Sequence, residues 1–370
     1  MRVVMRLNRF SLSLLPIFLA ACIPAAAQLS PAEPDPLARI RDAAKSNVQA
    51  CSATAETLCE QVAPKIIENA MGESPLAENL RRFSKETKGH KTWDSKEAAV
   101  IAWAVAAFRS AGMDAHVEKY ASHNGGPAEQ ETVVAEIRGR ENPDNWVLLG
   151  ARLGPHAHDP GAVDYSCDAA AVIEAARDIQ LTGVHPRQSI RFVLFTRDSR
   201  GVPSSWAYVR SHRSELDHAR AAIVIRSDCS RVNEYLLNGR PAMEPGVREA
   251  LKPIDSFGAN HFDFRPLLEA DNFDFLLEGV PALTAFPLLT TISIDSPAPI
   301  RESANIADVK RNTAIAAVTA FGIAERAEPL GPRQSRAEIE TLLKTSGLEL
   351  QMKTAGLWPL WESGQRGRLP

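Results

Sequence analysis

The sequence predicts an α/β protein in three layers, with a mostly parallel mixed sheet and helices on both faces. Short apolar runs typical of buried strands recur between residues 132 and 286, and segments with helical spacing of apolar residues alternate with them. This alternation favours a largely parallel sheet. A chain of 370 residues, 45% of them hydrophobic, is also long and apolar enough to bury one large core.

Residues 1–27 are predicted to be an export signal. Arginines precede an apolar run, Leu12–Ala21, which is too short to cross a bilayer as a mature helix. Two cleavage sites remain open. Residues 19–22 (Leu-Ala-Ala-Cys) resemble a bacterial lipobox, in which Cys22 becomes the lipidated N-terminus, whereas Ala25-Ala26-Ala27 fits an ordinary signal-peptidase site. Both alternatives predict an exported protein of the bacterial periplasm or outer cell envelope, and the first adds a lipid anchor.

Residues 28–38 are proline-rich and are predicted to form an extended tether. The main domain is expected to follow at residues 39–330. Its apolar residues recur at helical spacing over residues 39–71 and 95–111, which predicts helices at both places. Residues 331–370 are expected to form a C-terminal helical extension that packs onto this domain.

Five apolar runs are predicted to be strands: Thr132–Ile137, Trp146–Leu149, Ile190–Thr196, Ala221–Ile225 and Pro281–Phe286. In a parallel sheet, functional sites form from the loops at the carboxyl ends of the strands. The loops that follow Leu149, Phe195, Ile225 and Phe286 are therefore expected to hold the functional residues.

The charge balance excludes one class of partner. The chain has 42 Lys and Arg residues and 45 Asp and Glu residues, so its formal net charge is −3. This balance does not indicate that the protein binds nucleic acid. No other partner can be identified from charge.

Four cysteines follow the export signal: Cys51, Cys59, Cys167 and Cys229. An even number of cysteines in an oxidising compartment is typical of disulfide-bonded proteins. Cys51 and Cys59 are close enough in sequence for a local bridge, whereas unpaired buried thiols remain the alternative.

Three stretches carry a resemblance to a known family. They read VLLGARLGPHAHDPGAVDYSCDAAAVIEAARDI from Val147, IRFVLFTRDSRGVPSSWAYV from Ile190 and DNFDFLLEGVPAL from Asp271. In their joint order and spacing, they resemble the zinc-dependent aminopeptidase family, which includes bacterial leucyl aminopeptidases and the glutamate carboxypeptidase and transferrin receptor ectodomains. The resemblance covers about residues 35–330 and implies a zinc exopeptidase-like fold.

The resemblance also implies where two zinc ions would be bound. The family has a ligating His-x-Asp after the first of these strands, where this chain has Arg152-Leu153-Gly154. The aspartate that bridges both metals is retained as Asp164. The family's two consecutive glutamates, a general base followed by a ligand, correspond to Asp198 and Ser199.

The last two ligand positions are changed as well. The family's aspartate at the end of the next strand corresponds to Arg226, with Asp228 two residues further on. The final histidine corresponds to Asp295. Asp164 is thus the only ligand that the chain keeps unchanged.

These replacements remove zinc-binding chemistry. A catalytic zinc needs about three nitrogen, oxygen or sulfur ligands, whereas a guanidinium is always charged and only donates hydrogen bonds. Without a metal to acidify water, Asp198 has no good nucleophile to generate. We therefore expect Arg152 and Arg226 to replace the metals' positive charge by pairing with Asp164, Asp198 or Asp295; the alternative is that both arginines point into solvent.

Other residues near these loops have further implications. By the resemblance, Cys167 and Cys229 lie close together, so that a disulfide would take the place of a metal crosslink. Asp168 is expected to cap the helix that starts there. His156 and His158 lie close to Asp164 in sequence and offer an alternative metal site, because imidazoles and carboxylates are zinc ligands by type. The other interpretation is that they are solvated loop residues.

The expected function is that of an exported, aminopeptidase-like protein that is inactive as a conventional two-zinc enzyme and binds peptides or scaffolds envelope proteins without a cofactor. A second interpretation is a metal-dependent exopeptidase with a modified or mononuclear zinc site. A third is a structural envelope protein with a closed cleft. In each case, contact with a membrane is expected only through a lipid anchor.

Overall fold

The central strands form one mixed sheet in a computed structural model, which describes residues 57–87, 97–121, 130–154, 166–197, 203–288 and 305–369. The strands are β1 (Ala115–Tyr120), β2 (Gln130–Ile137), β3 (Asn142–Arg152), β4 (Gln188–Phe195), β5 (Ala219–Ile225), β6 (Glu234–Leu236), β7 (His261–Asp263) and β8 (Ala282–Phe286). Their order is β1-β2-β4-β3-β5-β8-β6-β7. The four central strands β4, β3, β5 and β8 run parallel, and β1, β2 and β6 introduce antiparallel pairs.

Helices cover both faces of this sheet. They are α1 (Ala63–Met71), α2 (Leu76–Thr87), α3 (Glu97–Ser110), α4 (Ser166–Leu181), α5 (Ser204–Ser211), α6 (Glu244–Leu251), α7 (Phe273–Leu277), α8 (Ile306–Glu325), α9 (Arg336–Thr345), α10 (Leu348–Thr354) and α11 (Trp358–Glu362). A π-helical turn at Thr57–Val62 precedes α1. Within the described ranges, no helix is both long and apolar enough to cross a membrane.

Two apolar cores separate the three layers. Side chains alternate along a strand, so β3 directs Val147 and Leu149 into the core under α1, α4 and α8, and Trp146 and Leu148 into the opposite core. The opposite core is closed by α5, α7 and the C-terminal helices α9 to α11. Both faces of the central strands are therefore buried, as parallel sheets require.

The predicted fold class is confirmed. All five strands that the sequence predicts are present, as β2, β3, β4, β5 and β8, and the helix expected over residues 95–111 is α3. The helix expected over residues 39–71 is seen from residue 57 onward, and its first part lies outside the described residues. The short strands β6 and β7, the edge strand β1 and helix α2 were not predicted.

Candidate functional site

The carboxyl ends of β3, β4, β5 and β8 meet at one edge of the sheet, which we call the strand-end cleft. These four strands are parallel neighbours, so the loops that follow Arg152, Phe195, Ile225 and Phe286 leave the sheet on the same side. This is the arrangement that the sequence predicts for the functional residues.

Several of the predicted site residues lie outside the described part of the chain: Asp164, Asp198, Ser199, Asp295, His156, His158, Cys22 and Cys51. Arg152, Gly154 and Arg226 are described. The last register pair between β3 and β5 is Ala151 with Ile225, so Arg152 and Arg226 stand one residue beyond it on neighbouring strands. The two arginines that the resemblance assigns to zinc-ligand positions are thus adjacent.

Arg152 is buried in an ion pair. Its side chain is 4% exposed, and Nη2 lies 3.1 Å from Oδ2 of Asp271, which is 3% exposed. The same nitrogen donates to the Glu269 carbonyl at 2.9 Å. The alternative in which Arg152 points into solvent is therefore wrong. Its partner Asp271 was not among the carboxylates we expected, although it opens the third of the stretches that resemble the aminopeptidase family.

Arg226 is more open and more weakly paired. Its side chain is 18% exposed, and Nη2 lies 3.9 Å from Oε2 of Glu269, a side chain that is 69% exposed. The guanidinium carbon lies 6.0 Å from the ring centroid of Phe286. Arg226 therefore lies just after β5, partly exposed and only weakly paired.

Both arginines act electrostatically on Asp228. Burial raises the pKa of the Asp228 carboxyl, and the charges of Arg226 and Arg152 act in the opposite direction. Asp228 itself has a left-handed backbone, with a φ of 48°. The described part of the cleft thus contains cations and carboxylates that neutralise one another.

We expected the Asp168 carboxylate to cap the helix that starts there, but its hydrogen bonds go elsewhere. Its carboxylate reaches across to the loop after β5, where Oδ2 accepts from the Ser227 and Asp228 amides at 3.0 and 3.3 Å and Oδ1 accepts from the Ser227 hydroxyl. Burial and the nearby Asp228 raise the pKa of Asp168 to about 7, although these hydrogen bonds lower it. The side chain therefore fixes the loop rather than the helix end.

A disulfide makes a second link between the same two segments. Cys167 and Cys229 are bonded, with a Cα–Cα distance of 5.3 Å. The following residues of the loop are held by α8, where Asn312 donates to the Ser230 carbonyl and accepts from the Val232 amide. The loop after β5 is therefore held by two helices, α4 through Asp168 and the disulfide, and α8 through Asn312.

The described donor set does not fit a zinc ion. Arg152 and Arg226 donate only, and Gly154 has no side chain. Over the described ranges, no three His, Cys, Asp or Glu side chains are grouped so that they could hold a metal ion. Positive charge at this edge of the sheet is supplied by guanidinium groups.

Comparison with known proteins agrees with this geometry. A sequence model of peptidase family M28 matches residues 132–316, which are 185 of the chain's 370 residues. A glutamate carboxypeptidase 2 homolog of Caenorhabditis elegans is 29% identical over 129 residues, 34% of this chain and 16% of that protein. Carboxypeptidase Q of Bos taurus is 30% identical over 101 residues, 27% of this chain and 21% of that protein. The chain thus matches at most about a fifth of the length of these relatives.

Solved structures share the fold at low sequence identity. The LapA aminopeptidase of Legionella pneumophila superposes with a TM-score of 0.52 and 15% identity, over 78% of this chain and 73% of its own. A glutaminyl cyclase of an Acidobacteriales bacterium superposes with a TM-score of 0.51 and 12% identity, over 66% of this chain and 92% of its own. Because the family model matches half of the chain and the fold is aminopeptidase-like, the chain belongs to peptidase family M28.

Proposed function

We propose that this member of family M28 does not work as a two-zinc aminopeptidase and that it acts by binding peptides in the strand-end cleft. The observation that carries the proposal is the buried ion pair between Arg152 and Asp271. The pair buries a permanent cation at Arg152, which the resemblance aligns with the first ligand position, where a zinc enzyme needs a lone pair.

The charges at the five ligand positions support the same conclusion. Two histidines and three carboxylates carry −3 and need metal cations, whereas the residues at these positions here sum to zero. They are Arg152, Asp164, Ser199, Arg226 and Asp295. Peptides are the proposed ligands because both curated relatives are named as carboxypeptidases.

Metal content and hydrolysis test the loss of activity. We expect the purified protein to hold far less than one zinc per chain and to leave a panel of aminoacyl and dipeptide substrates intact. The matched variant restores three ligands at once, as Arg152→His, Ser199→Glu and Arg226→Asp, and we expect it to gain zinc. Stoichiometric zinc with chelator-sensitive hydrolysis in the unchanged chain contradicts the proposal and supports an exopeptidase with a modified or mononuclear zinc site.

A peptide-library screen tests whether the protein binds peptides. Two variants, one at each end of β5, then test whether the peptides bind in the strand-end cleft. We expect Arg226→Gln to weaken peptide binding, since Arg226 directly follows β5 at the strand-end cleft and is only weakly paired. Arg220→Gln, near the other end of β5, should leave binding unchanged. A chain that binds no peptide favours a structural envelope protein instead.

We also propose that the protein is exported and anchored by a lipid on Cys22. The support is the apolar run that ends in Leu-Ala-Ala-Cys. In a bacterial host, we expect incorporation of labelled fatty acid into the full-length chain and none into the Cys22→Ser variant. A mature N-terminus at Gln28 contradicts the anchor and supports a soluble exported form.

A further inference from the structure

His212 follows α5 directly and connects this helix to the edge strand β1. Nδ1 of its ring lies 2.9 Å from the Tyr208 carbonyl oxygen, and Nε2 lies 3.4 Å from Oε2 of Glu118 in β1. A carbonyl and a carboxylate only accept hydrogen bonds, so both ring nitrogens are placed to donate. A neutral imidazole has a single N–H, and the ring therefore satisfies both oxygens only as an imidazolium.

Two further features favour a positive charge on this ring. The ring stacks on that of Tyr208, with the centroids 4.1 Å apart and 22° between the planes, and the face of an aromatic ring attracts cations. His212 is also the C-cap of α5, where the helix dipole stabilises a cation. Burial lowers the pKa of His212, but Glu118 and the Tyr208 carbonyl outweigh burial and raise the pKa above its ordinary value.

The partner carboxylate of Glu118 is held as an anion. The Tyr120 hydroxyl donates to Oε2, and Nε2 of the exposed His116 lies 3.4 Å from Oε1. Burial raises the pKa of Glu118, but His212 and Tyr120 outweigh burial and lower the pKa to about 2. Burial also raises the pKa of the Tyr120 and Tyr208 phenols, which stay neutral as a result. Within this pair, His212 is therefore the group that changes charge near neutral pH.

The other charged groups around the pair come from β2, β4 and the segment around the end of α5. Arg191 on β4 lies 3.0 Å from Glu136 on β2 and 2.8 Å from Glu215, which follows α5. Glu215 also favours the charged form of His212. Arg210 on α5 donates to the backbone just after β1 at 3.0 Å. Both arginines keep their charge at any accessible pH, so they do not titrate with His212.

We propose that His212 is a pH-sensitive clamp, which holds β1 against α5 as an imidazolium and weakens this contact in alkaline solution. When the proton on Nε2 passes to solvent, the nitrogen turns a lone pair toward the Glu118 carboxylate, and two acceptors then face each other. β1 stands at the edge of the sheet beside β2, so contacts with α5 matter more to it than to a central strand. The clamp uses no residue of the strand-end cleft and is independent of peptide binding there.

NMR titration of the full chain with isotope-labelled histidine tests the charge on His212, whose signal the His212→Gln variant identifies. We expect a midpoint above about pH 6.5, the value of an unperturbed histidine. Glu118→Gln removes the anion and should lower the midpoint by about 1 pH unit. The matched control His116→Gln replaces the other histidine at the same carboxylate and should not lower it. A parent midpoint at or below that of an unperturbed histidine overturns the proposal, as does a midpoint that Glu118→Gln leaves unchanged.

Hydrogen exchange, followed by mass spectrometry of peptides that cover Ala115–Tyr120, tests the clamp itself. After correction for the intrinsic rate at each pH, we expect exchange of β1 to become about fivefold faster as the pH rises through the His212 midpoint, because a partly exposed ion pair is lost. Glu118→Gln and His212→Gln should show the faster exchange on both sides of the midpoint, whereas His116→Gln should behave like the parent chain. Exchange of β1 that does not change at the midpoint in the parent chain contradicts the clamp.

Discussion

The effect of replacing Arg152 on stability should depend on whether its partner Asp271 is replaced as well. Its ion pair with Asp271 is almost fully shielded from water. Removing one partner leaves an uncompensated buried charge, whereas removing both restores neutrality. The resemblance assigned Arg152 and Arg226 to ligand positions, but the sequence did not indicate that Arg152 would pair with Asp271. A contact over such a long separation depends on how the loops leave the sheet.

The first prediction concerns this pair. We expect Arg152→Met to lower the free energy of unfolding by about 3–5 kcal/mol, since Asp271 then remains buried without its cation. The double variant Arg152→Met, Asp271→Leu should recover most of this loss. Arg226→Met, whose partner is exposed and 3.9 Å away, should cost less than about 1 kcal/mol. Urea unfolding measures all three, and equal losses for the single and double variants contradict the ion-pair role.

The second prediction concerns Asp168. Its folded-state pKa of about 7 lies above that of an unfolded aspartate, about 4, so between these pH values the folded state keeps a proton that the unfolded state has lost. The stabilisation that this group contributes is therefore fully present below about pH 4. It decreases above that pH and is lost as the pH rises through about 7. We expect Asp168→Asn to reduce this decline by at least about 1 kcal/mol between pH 5 and 8.

Unfolding curves of both proteins at several pH values provide the measurement. Asp178, whose pKa burial and the neighbouring Glu174 raise to about 8, contributes a decline of the same sign. It is present in both proteins, so it cancels in their difference. An Asp168→Asn variant with the same pH dependence as the parent chain contradicts the pKa assigned to Asp168.

At the scale of elements, the loop after β5 is constrained at several points. Its residues Asp228 and Cys229 have positive φ values of 48° and 59°, which non-glycine residues rarely adopt. The Asp168 carboxylate, the disulfide and α8 hold the loop in this conformation. The sequence gives no signal for this backbone geometry, since neither residue is a glycine.

The third prediction is that the disulfide has a large effect on stability. The two cysteines are 62 residues apart, and closing a loop of this length is worth about 4 kcal/mol in the chain-entropy estimate. We expect the Cys167→Ala, Cys229→Ala variant to lose about this amount in urea unfolding. The bond itself is checked by alkylating the unreduced parent chain and analysing it by mass spectrometry. Both cysteines should stay unalkylated until they are reduced, and free thiols at both positions contradict the bond. The Cys51→Ala, Cys59→Ala variant is the matched comparison, because it also replaces two cysteines but leaves the Cys167–Cys229 bond intact.

Strands were predictable from sequence in proportion to their burial. The central strands are apolar on both faces, so they appear as continuous apolar runs. The edge strand β1 has a mixed pattern of polar and apolar residues, and β6 and β7 are three residues long. Such short or polar strands are fixed by pairing with neighbours, which local sequence does not encode.

At the scale of the whole molecule, the C-terminal helices complete the second core. Arg366 is buried and donates to Asp274 at 2.7 Å, and Asp274 also accepts from Ser205 at 2.7 Å. Nearby, the buried Glu278 accepts from both Arg213 and Arg333. The C-terminal segment is thus joined to α5 and α7 by buried charges as well as by apolar contacts.

The fourth prediction follows from these contacts. We expect Arg366→Ala to lower the free energy of unfolding by about 3 kcal/mol or more, because Asp274 is left charged and buried. Arg248→Ala, which removes an exposed pair with Glu244, should cost less than about 1 kcal/mol. Thermal and urea unfolding compare the two, and similar small losses would show that the Arg366 pair contributes little.

The position of these last contacts affects the order in which the chain can fold. Arg368 donates its amide to the Leu277 carbonyl at 2.9 Å, two residues before the end of the chain. The second core, which lies against α5 and α7, is therefore completed only when this C-terminal segment has packed onto the rest of the chain.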